Sequence, residues 1–383
     1  MLHRLFILVA VCLLPIYLWE SGGIQISHIL IVIAASFYYM SKGIRLGQPE
    51  IVLLSLALFV ALREAAAAIM GGNLRGLMPV LYVFFCLVVF NSIRHLTLDR
   101  RALTVVGLGL YAAVAVAIIG ILVKGYSFHV DSEGFRAIGT FNNPNQLGYF
   151  AVCSFAMAVL LHRMGVYPGK RHLIVFFAAA VYLSAASLSK AAILTTMLSG
   201  LMIGFSMSKS KMRFLVGSVV AAALVSSVYI AYAAGAFDDL KVVHRLSGLG
   251  TQGDDSLAGR GYNVVFSASG LELFIGMGSQ KVREIVGHEV HSTYFSYFTN
   301  YGVIGGFLFV LFIVMWLRSL VRQYGWYTAA AVGGPPLIYG ITHNGSRFTV
   351  LWILIALSFV PLTALQATNA RQSRMNVDRS VHG

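Results

Sequence analysis

The run ALTVVGLGLYAAVAVAIIGILV, from Ala102 to Val123, contains no charged residue and decides the class of fold. A helix needs about 20 mostly apolar residues to cross the hydrocarbon core of a bilayer. The run meets this requirement, and it is bounded by Arg101 on one side and Lys124 on the other. The sequence therefore predicts a membrane-spanning helix at this point of the chain.

Eleven further stretches have a similar apolar character, so we predict an all-α polytopic membrane protein with about 12 transmembrane helices. The predicted spans lie near 4–19, 24–40, 51–70, 77–91, 102–123, 144–162, 172–188, 190–207, 213–236, 292–317, 326–342 and 347–366. No small-residue cleavage pattern follows Trp19, so the first stretch is interpreted as an anchor and not as a signal peptide.

One long segment separates the ninth predicted span from the tenth. The predicted organisation is 1–236 for transmembrane helices 1–9, 237–291 for one large periplasmic loop, 292–366 for transmembrane helices 10–12, and 367–383 for a disordered cytoplasmic tail. Within the loop, polar and apolar residues alternate over 256–275. This pattern favours a short helix that lies on the membrane surface.

The composition agrees with this class and excludes others. Hydrophobic residues make up 58% of the chain and charged residues only 11%, whereas a soluble domain carries about 25% charged residues. An ordinary soluble enzyme, a disordered chain and a collagen-like fibre are therefore excluded. Cys12, Cys86 and Cys153 each lie in a long apolar run, which argues against a disulfide framework and against a thiolate metal site.

The distribution of charge predicts the orientation. The formal net charge is +14 at pH 7. With the N-terminus placed inside, the loops on the inner face carry this whole excess, and the outer segments are neutral in sum. The positive-inside rule then predicts that both termini are cytoplasmic. Because the basic loops are short and scattered, we predict no nucleic-acid partner.

Polar residues concentrate on the predicted outer face, first between the fifth and sixth spans. Arg136 precedes the turn Asn142-Asn143-Pro144-Asn145, which supplies amide groups and caps the next helix. A helix N-terminus favours anions, and Arg136 adds a fixed positive charge. The sequence therefore indicates an anion site here, and a solvated loop with a good helix start is the alternative interpretation.

The large loop carries Arg260 and ends in His288 and His291, directly before the tenth span. An imidazole at the membrane surface can accept or deliver a proton near neutral pH; an interfacial His with one hydrogen bond is the alternative. No third ligand has suitable spacing for a metal, so we predict no metal and no other cofactor. Gly276-Met-Gly278 is weak support for nucleotide binding, because no strand-turn-helix context surrounds it.

Two more polar clusters lie on the same face. Lys190 follows Ser187-Leu-Ser189 between the seventh and eighth spans, and it is either an anion contact or a snorkelling anchor. His343 and Arg347 lie in the turn between the last two spans, with the same ambiguity. Several Lys and Arg donors can neutralise phosphate without a metal. The outer face therefore suits a large anionic lipid head group, such as a pyrophosphate, with one base nearby.

Arg63 and Glu64 lie within the third predicted span. Charges at membrane depth are costly, and they normally face an interior cavity or pair locally. Adjacent residues on a helix point about 100° apart, so these two side chains do not obviously pair with each other.

In their order along the chain, these residues resemble the bacterial O-antigen ligase and O-antigen or exopolysaccharide polymerase family. The resemblance is strongest from about 133 to 310 and rests on Arg136–Gly148, Ser187–Ala191, Gly259-Arg260, Gly276-Met-Gly278, His291 and Gly302-Val-Ile-Gly305. Two positions depart from the pattern of the family. Ser292 stands where Asn often follows the loop His, and Lys190 stands where Arg often follows the paired serines.

The resemblance implies an integral inner-membrane glycosyltransferase that is independent of metal. Its donor would be an oligosaccharide on undecaprenyl pyrophosphate at the periplasmic face, and its acceptor a further glycan or lipid A–core. By analogy, Arg136 and Arg260 have catalytic roles: with Lys190 they hold the pyrophosphate and stabilise its growing charge. Lys190, Asn142, Asn145, His343 and Arg347 are the implied substrate-binding residues. His291 would orient or deprotonate the acceptor, with His288 of less importance. Membrane lipids and an optional chain-length regulator protein are the remaining implied partners.

Three functions compete at this point. A polymerase is slightly favoured over a ligase, and the two differ only in the acceptor. A lipid-linked oligosaccharide flippase or another polysaccharide transporter is the main alternative, but it should line a central cavity with charges along several spans and have duplicated halves. A structural membrane protein would not need the clustered outer Arg and His residues.

Overall fold

The protein is described by a computed structural model that covers residues 2–19, 23–71, 74–126, 128–130, 134–208 and 259–363, with single positions at 210, 212, 215 and 217. The ninth predicted span, 213–236, lies outside the described residues apart from positions 215 and 217. The part of the predicted loop before residue 259 and the predicted tail, 367–383, also lie outside them.

The described residues fold almost entirely into helices. In chain order these are α1 Leu2–Cys12, α2 Ile26–Lys42, α3 Gln48–Gly71, α4 Met78–Leu96, α5 Arg100–Lys124, α6 Pro144–Arg163, α7 Lys170–Ser187, α8 Lys190–Met207, α9 Glu272–Ile275, α10 Ser279–Val286, α11 Thr293–Tyr324, α12 Trp326–Thr342 and α13 Thr349–Ser358. Short 3₁₀ segments form at Leu74–Leu77 and Tyr262–Ser267. Between α5 and α6, strands β1 Phe128–Val130 and β2 Gly134–Arg136 pair antiparallel.

Six of the described helices are long and apolar enough to cross a membrane. They are Gln48–Ile69, Met78–Leu96, Arg100–Lys124, Pro144–Arg163, Lys190–Met207 and Thr293–Tyr324. Three shorter helices, Leu2–Cys12, Ile26–Lys42 and Thr349–Ser358, are also apolar. The prediction of a helical, multi-pass membrane protein is therefore confirmed, and the number of 12 spans stays a prediction.

The first predicted span, 4–19, is helical only as far as Cys12. A turn follows that contains Pro15, and proline cannot continue the backbone hydrogen bonds of a helix. The chain after it binds the loop before α6 instead: Thr140 Oγ1 donates to the carbonyl of Pro15 at 2.6 Å, and Tyr17 N donates to the carbonyl of Thr140 at 3.0 Å. These bonds fix the loop that leads into α6.

Helix α6 is the central element of the described structure. It contacts α5, α7, α8, α12 and α13, and nearly all of its side chains are buried. Small residues permit this close packing: a Cβ at Gly148 would lie 2.9 Å from Ala192 and 3.1 Å from Ser187 Oγ. The turn between α7 and α8 therefore lies directly against the first turns of α6.

Helix α11 is broken at Gly302, where φ is +62° and ψ is −162°. At the break, the carbonyls of Thr299 and Asn300 accept hydrogen bonds from Met277 N at 3.1 Å and Gly278 N at 2.9 Å. A Cβ at either Gly276 or Gly302 would overlap backbone atoms of the other segment. Among the described residues, Gly276-Met-Gly278 thus serves as the point at which the chain after α9 docks onto α11.

Arg63 and Glu64 of α3 bind the same segment. Arg63 Nε donates to the carbonyl of Gly276 at 3.0 Å, and Glu64 Oε1 accepts from Ser279 N at 2.9 Å. A carboxylate at the first residue of α10 is favourable, because a helix N-terminus carries partial positive charge. The two charged residues therefore do not pair with each other but hold the entry to α10.

Candidate functional site

The C-terminal end of α12 joins the N-termini of two other helices through Tyr339. The buried hydroxyl of Tyr339 donates to the carbonyl of Asn145 in the first turn of α6 at 2.9 Å. It also shares a 3.0 Å hydrogen bond with Ser189 Oγ, the N-cap of α8. Tyr339 therefore brings the two polar turns that precede α6 and α8 to one place.

A third helix N-terminus meets the same end of α12. Ser292 caps α11, and its Oγ donates to the carbonyl of Gly340 at 3.3 Å. Thr293 Oγ1 donates to the carbonyl of His343 at 3.1 Å and accepts from Gly345 N at 2.8 Å. Helix N-termini attract anions because their N–H groups lack intrahelical partners. Three such termini, of α6, α8 and α11, surround this site.

Arg136 is buried beside these helix starts. Its Nε donates to the carbonyl of Ser187 at 2.8 Å, and its Nη2 donates to Asn145 Oδ1 at 3.1 Å. The next residue, Ala137, donates its N–H to the carbonyl of Ala186 at 3.0 Å. The sequence-predicted residues Arg136 and Asn145 are thus in direct contact, and the guanidinium also holds the end of α7.

Arg260 binds the C-terminal end of α12. Its Nη1 donates to the carbonyl of Thr342 at 2.7 Å, where the helix dipole favours a positive charge. Its own carbonyl accepts from His291 N at 3.1 Å. The Tyr262 hydroxyl donates to the carbonyl of Ile341, and its ring stacks on Phe295 with centroids 4.6 Å apart. Arg260 and His291 are therefore joined by a backbone hydrogen bond.

His291 is exposed and lies before α11, which begins at Thr293. Its ring stacks on that of His288, with centroids 4.7 Å apart and planes inclined by 11°. His288 Nδ1 lies 2.8 Å from the carbonyl of Glu289. The two rings meet across a turn and not along one face of a helix. The i, i+3 spacing indicates that the two rings could be close, but it does not predict a stack across a turn.

The charges of Arg136, Arg260 and protonated His291 act on the imidazole of His343. Burial lowers its pKa from 6.5 to about 3, and the charges of Arg260, Arg136 and a protonated His291 act in the same direction. His343 is therefore neutral near pH 7. A neutral imidazole can donate or accept a hydrogen bond without adding charge to the site.

Lys190 and Asn142 do not line either of the two cavities that adjoin at Arg347. Lys190 is the first residue of α8, directly after the Ser189 cap. Asn142 Nδ2 donates to the carbonyl of Trp19 at 2.7 Å, and its backbone N–H donates to Gln146 Oε1 at 3.0 Å. Asn142 therefore links the chain after α1 to the start of α6.

Arg347 lies in the turn between α12 and α13 and is held by two groups that the sequence analysis did not single out. Its Nη2 is 2.7 Å from Glu289 Oε1, and its guanidinium lies over the ring of Tyr82, 5.3 Å from the centroid. Glu289 stands between His288 and His291 in the sequence, which is the only signal that could have drawn attention to it.

Two cavities adjoin at Arg347. The smaller, about 170 Å³, is lined by Asn143, Gln146, His291 and His343 among others. The larger, about 750 Å³, lies beside α10 and is lined by Gln280, Arg283, Asn300 and Tyr301 among others. Both include Tyr82, Glu289, Val290, Asn344 and Arg347 in their lining. The N-terminal cap of α6 and the imidazoles of His291 and His343 therefore border the same small cavity.

The predicted residues therefore fall into two groups, those that line the small cavity and those that do not. His291, His343 and Arg347 line the small cavity. Arg136, Arg260, Asn142, Asn145 and Lys190 lie behind or beside it and are not part of the lining of either cavity. Tyr339, Tyr82 and Glu289 belong to the site although sequence reasoning did not find them. Tyr339 and Tyr82 lie in apolar helices, where a tyrosine gives no signal of function.

Within the described ranges, no three His, Cys, Asp or Glu side chains are arranged to hold a metal ion. No protein-family model matches the chain, and no curated protein matches it. The functional interpretation therefore rests on the arrangement of the site together with the family resemblance of the sequence.

Proposed function

We propose that the protein is a membrane glycosyltransferase that transfers or polymerises oligosaccharide repeat units from undecaprenyl pyrophosphate. The observation that carries the proposal is the placement of Arg136, Arg260, His291 and His343 around the N-terminus of α6 and the C-terminal end of α12. These residues come from four separate parts of the chain. The buried Arg136, the partly buried Arg260 and the helix N-termini favour a phosphate-bearing ligand, and a nearby imidazole supplies a base.

The proposal includes a position in the membrane. The protein would cross the bacterial inner membrane about 12 times with both termini in the cytoplasm, and 237–291 would form a mostly periplasmic loop. Support comes from the +14 net charge, which this orientation assigns to the inner loops. The site would then face the periplasm.

The pyrophosphate would lie in the small cavity, against the N-terminal cap of α6 and Arg347. Arg136 and Arg260 lie outside the lining of this cavity. Their positive charges would still attract the pyrophosphate, because charges interact more strongly where water is partly excluded. As the reaction proceeds, the bond between the anomeric carbon and the pyrophosphate oxygen breaks, and negative charge grows on the leaving group. Fixed positive groups stabilise this growing charge.

The acceptor would approach from the large cavity. Its hydroxyl oxygen forms the new bond to the anomeric carbon, and its proton passes to the imidazole of His291. Undecaprenyl pyrophosphate leaves as an anion and needs no proton from an acid partner. The large cavity has the amide, carboxylate and tyrosine side chains that recognise sugar hydroxyl groups.

A polymerase is slightly favoured over an O-antigen ligase. In the first case the acceptor is a second lipid-linked glycan in O-antigen or exopolysaccharide synthesis, and in the second it is lipid A–core in lipopolysaccharide synthesis. Partners would be the donor, the acceptor, membrane lipids and an optional chain-length regulator. The sugars and their linkage depend on contacts in the large cavity.

The test is a transfer assay with the purified protein in nanodiscs, an undecaprenyl-pyrophosphate-linked oligosaccharide and either acceptor, with a chelator present. We expect glycan transfer by the unmodified protein and its loss in His291→Ala and Arg260→Ala. Lys170→Ala and Arg171→Ala are matched controls, because these cations lie at the far end of α7 from Ser187.

Two results would overturn the proposal. One is absence of transfer together with movement of the lipid-linked oligosaccharide across a vesicle membrane, which would favour the flippase. The other is transfer that stops when the chelator is added, which would contradict a metal-independent reaction. A gel that resolves glycan length separates polymerase from ligase products.

A further inference from the structure

The segment Leu271–Gly278 contains α9 and the glycine turn that follows it. It contacts α3 and α11 at positions away from the ends of these two helices. Its Gly276 carbonyl accepts from Arg63 Nε of α3. The backbone of Phe274 lies against Gly302 of α11. Neither contact is at a helix terminus, since α3 continues to Gly71 and α11 begins at Thr293. The depth of these contacts decides where the segment lies.

Two helices give the depth independently. We place the opposite boundary of the hydrocarbon at Glu50, near the start of α3, and at Arg318, near the end of α11, because these are the last charged residues before the apolar part of each helix. At a rise of ~1.5 Å per residue, Arg63 lies about 20 Å from Glu50, and Gly302 lies about 24 Å from Arg318. The hydrocarbon core is about 30 Å thick. For helices perpendicular to the membrane, this boundary would place the contacts about 6–10 Å inside the hydrocarbon on the side of the candidate site.

The polar backbone at this depth has protein partners. Non-helical backbone is tolerated inside a bilayer only where its N–H and C=O groups are satisfied by the protein. Arg63 supplies a donor, Glu64 supplies an acceptor, and the break at Gly302 coincides with two carbonyls that bind Met277 and Gly278. These contacts also explain why Arg63 and Glu64 are tolerated at a depth where charge is costly.

The same segment exposes large apolar side chains. Leu271 is 67% exposed, Phe274 58% and Leu273 48%. Apolar side chains at this depth would contact acyl chains and not water. We infer that Leu271–Gly278 is a re-entrant segment whose apolar side chains insert among the acyl chains of the outer leaflet. The inference is independent of the proposed catalytic function.

The test is spin labelling of single introduced cysteines in nanodiscs, read by collision with oxygen and with a water-soluble nickel chelate. Oxygen concentrates in the bilayer interior, whereas the nickel chelate stays in water. Phe274→Cys and Leu271→Cys report on the segment. Phe307→Cys, 61% exposed on α11, is the lipid-facing control, and Glu284→Cys on α10 is the water-facing control. Labelled unmodified protein gives the background from Cys12, which is half-buried, and from the buried Cys86 and Cys153.

We expect the oxygen-to-nickel accessibility ratio at Phe274 to be severalfold higher than at Glu284 and close to that at Phe307. Leu271, one turn earlier, should give an intermediate or equal ratio. A ratio at Phe274 equal to that at Glu284 would overturn the inference, because it would place the segment in water. Low accessibility to both reagents would also overturn it, because protein and not lipid would then cover these side chains. Both positions are exposed, so the substitutions are compatible with folding.

Discussion

Arg347 and Glu289 form an ion pair, with Nη2 and Oε1 2.7 Å apart, at the junction of the two cavities. The pair joins the turn between α12 and α13 to the residues just before His291. Both side chains keep partial exposure to solvent. A pair of this kind contributes only about 0–1 kcal/mol to stability. Its position between two cavities therefore matters more than its effect on folding.

Arg347→Ala should lower glycan transfer by ~10²–10³, because the proposed pyrophosphate position would lose the one Arg that lines the small cavity within the described residues. The melting temperature should change little. Transfer rate and melting temperature of the same preparation check this. Arg171→Ala is the control for loss of an exposed Arg at the other end of the structure. Unchanged transfer would reduce Arg347 to an ion-pair partner of Glu289.

Arg136→Ala should reduce both transfer and stability. Arg136 is 5% exposed, and its removal leaves the Ser187 carbonyl and Asn145 Oδ1 without these hydrogen bonds. Loss of a donor to buried acceptors costs about 1–3 kcal/mol. Arg136→Lys should retain the charge but restore little, since one ammonium group cannot replace the planar fork. A wild-type melting temperature for Arg136→Ala would contradict this structural role.

The class of fold could be predicted from the sequence because runs such as 102–123 have a composition that only a membrane stabilises. The sequence also predicted that Arg136 and Arg260 belong to one site, and the charges of both act on His343 in the structure. Their partners were not predictable, because Arg136 meets Ser187 and Arg260 meets Thr342 across long separations in the chain. Every residue has a backbone carbonyl, so the residue type does not reveal which carbonyl will accept a hydrogen bond. These contacts could therefore be identified only from the structure.

The structural role of Gly302 could not be predicted from the sequence either. A glycine within an apolar run is consistent with close helix packing, and the sequence gave no reason to expect a broken helix at this position. The break depends on backbone contacts with Gly276, which comes from a separate segment. Periodicity along one helix cannot report a contact of this kind.

His343 should make stability depend on pH. Its pKa is lowered to about 3 in the native state, whereas an unfolded His titrates near 6.5. As pH falls below ~6.5, the unfolded state takes up a proton that the native state does not. The free energy of unfolding should therefore fall between about pH 6.5 and 3, by at most ~1.4 kcal/mol per pH unit. Thermal melting across this range should have a smaller slope in His343→Gln than in the unmodified protein.

Gly302→Ala should destabilise the protein more than Gly334→Ala. At Gly302 the backbone is in a positive-φ conformation, which costs about 1–3 kcal/mol for other residues, and the added Cβ would overlap Phe274. At Gly334, within α12, a Cβ would have open space. Melting temperatures of the two variants test this comparison. Equal stabilities would argue against the docking of Gly276 onto a broken α11.

His291→Ala should lower transfer by ~10²–10⁴, as expected for loss of a general base. The sequence alone predicts a mild effect for His288. The stacked rings, with centroids 4.7 Å apart, revise this, because His288 covers one face of His291 and restricts its orientation. His288→Ala should therefore lower transfer severalfold, and His288→Phe should retain most of it, because phenylalanine preserves a flat ring that can stack but cannot carry a proton.

The pH profile of transfer distinguishes positioning from proton transfer. If His288 only positions His291, His288→Phe keeps the shape of the wild-type profile, and the rate in His288→Ala falls without a shift of its midpoint. If His288 is the base, both His288 variants lose transfer, and His291→Ala retains it. Donor binding, measured in parallel, should persist in all three variants because Arg136, Arg260 and Arg347 remain. Loss of donor binding in His291→Ala would assign that imidazole to the pyrophosphate and not to the acceptor.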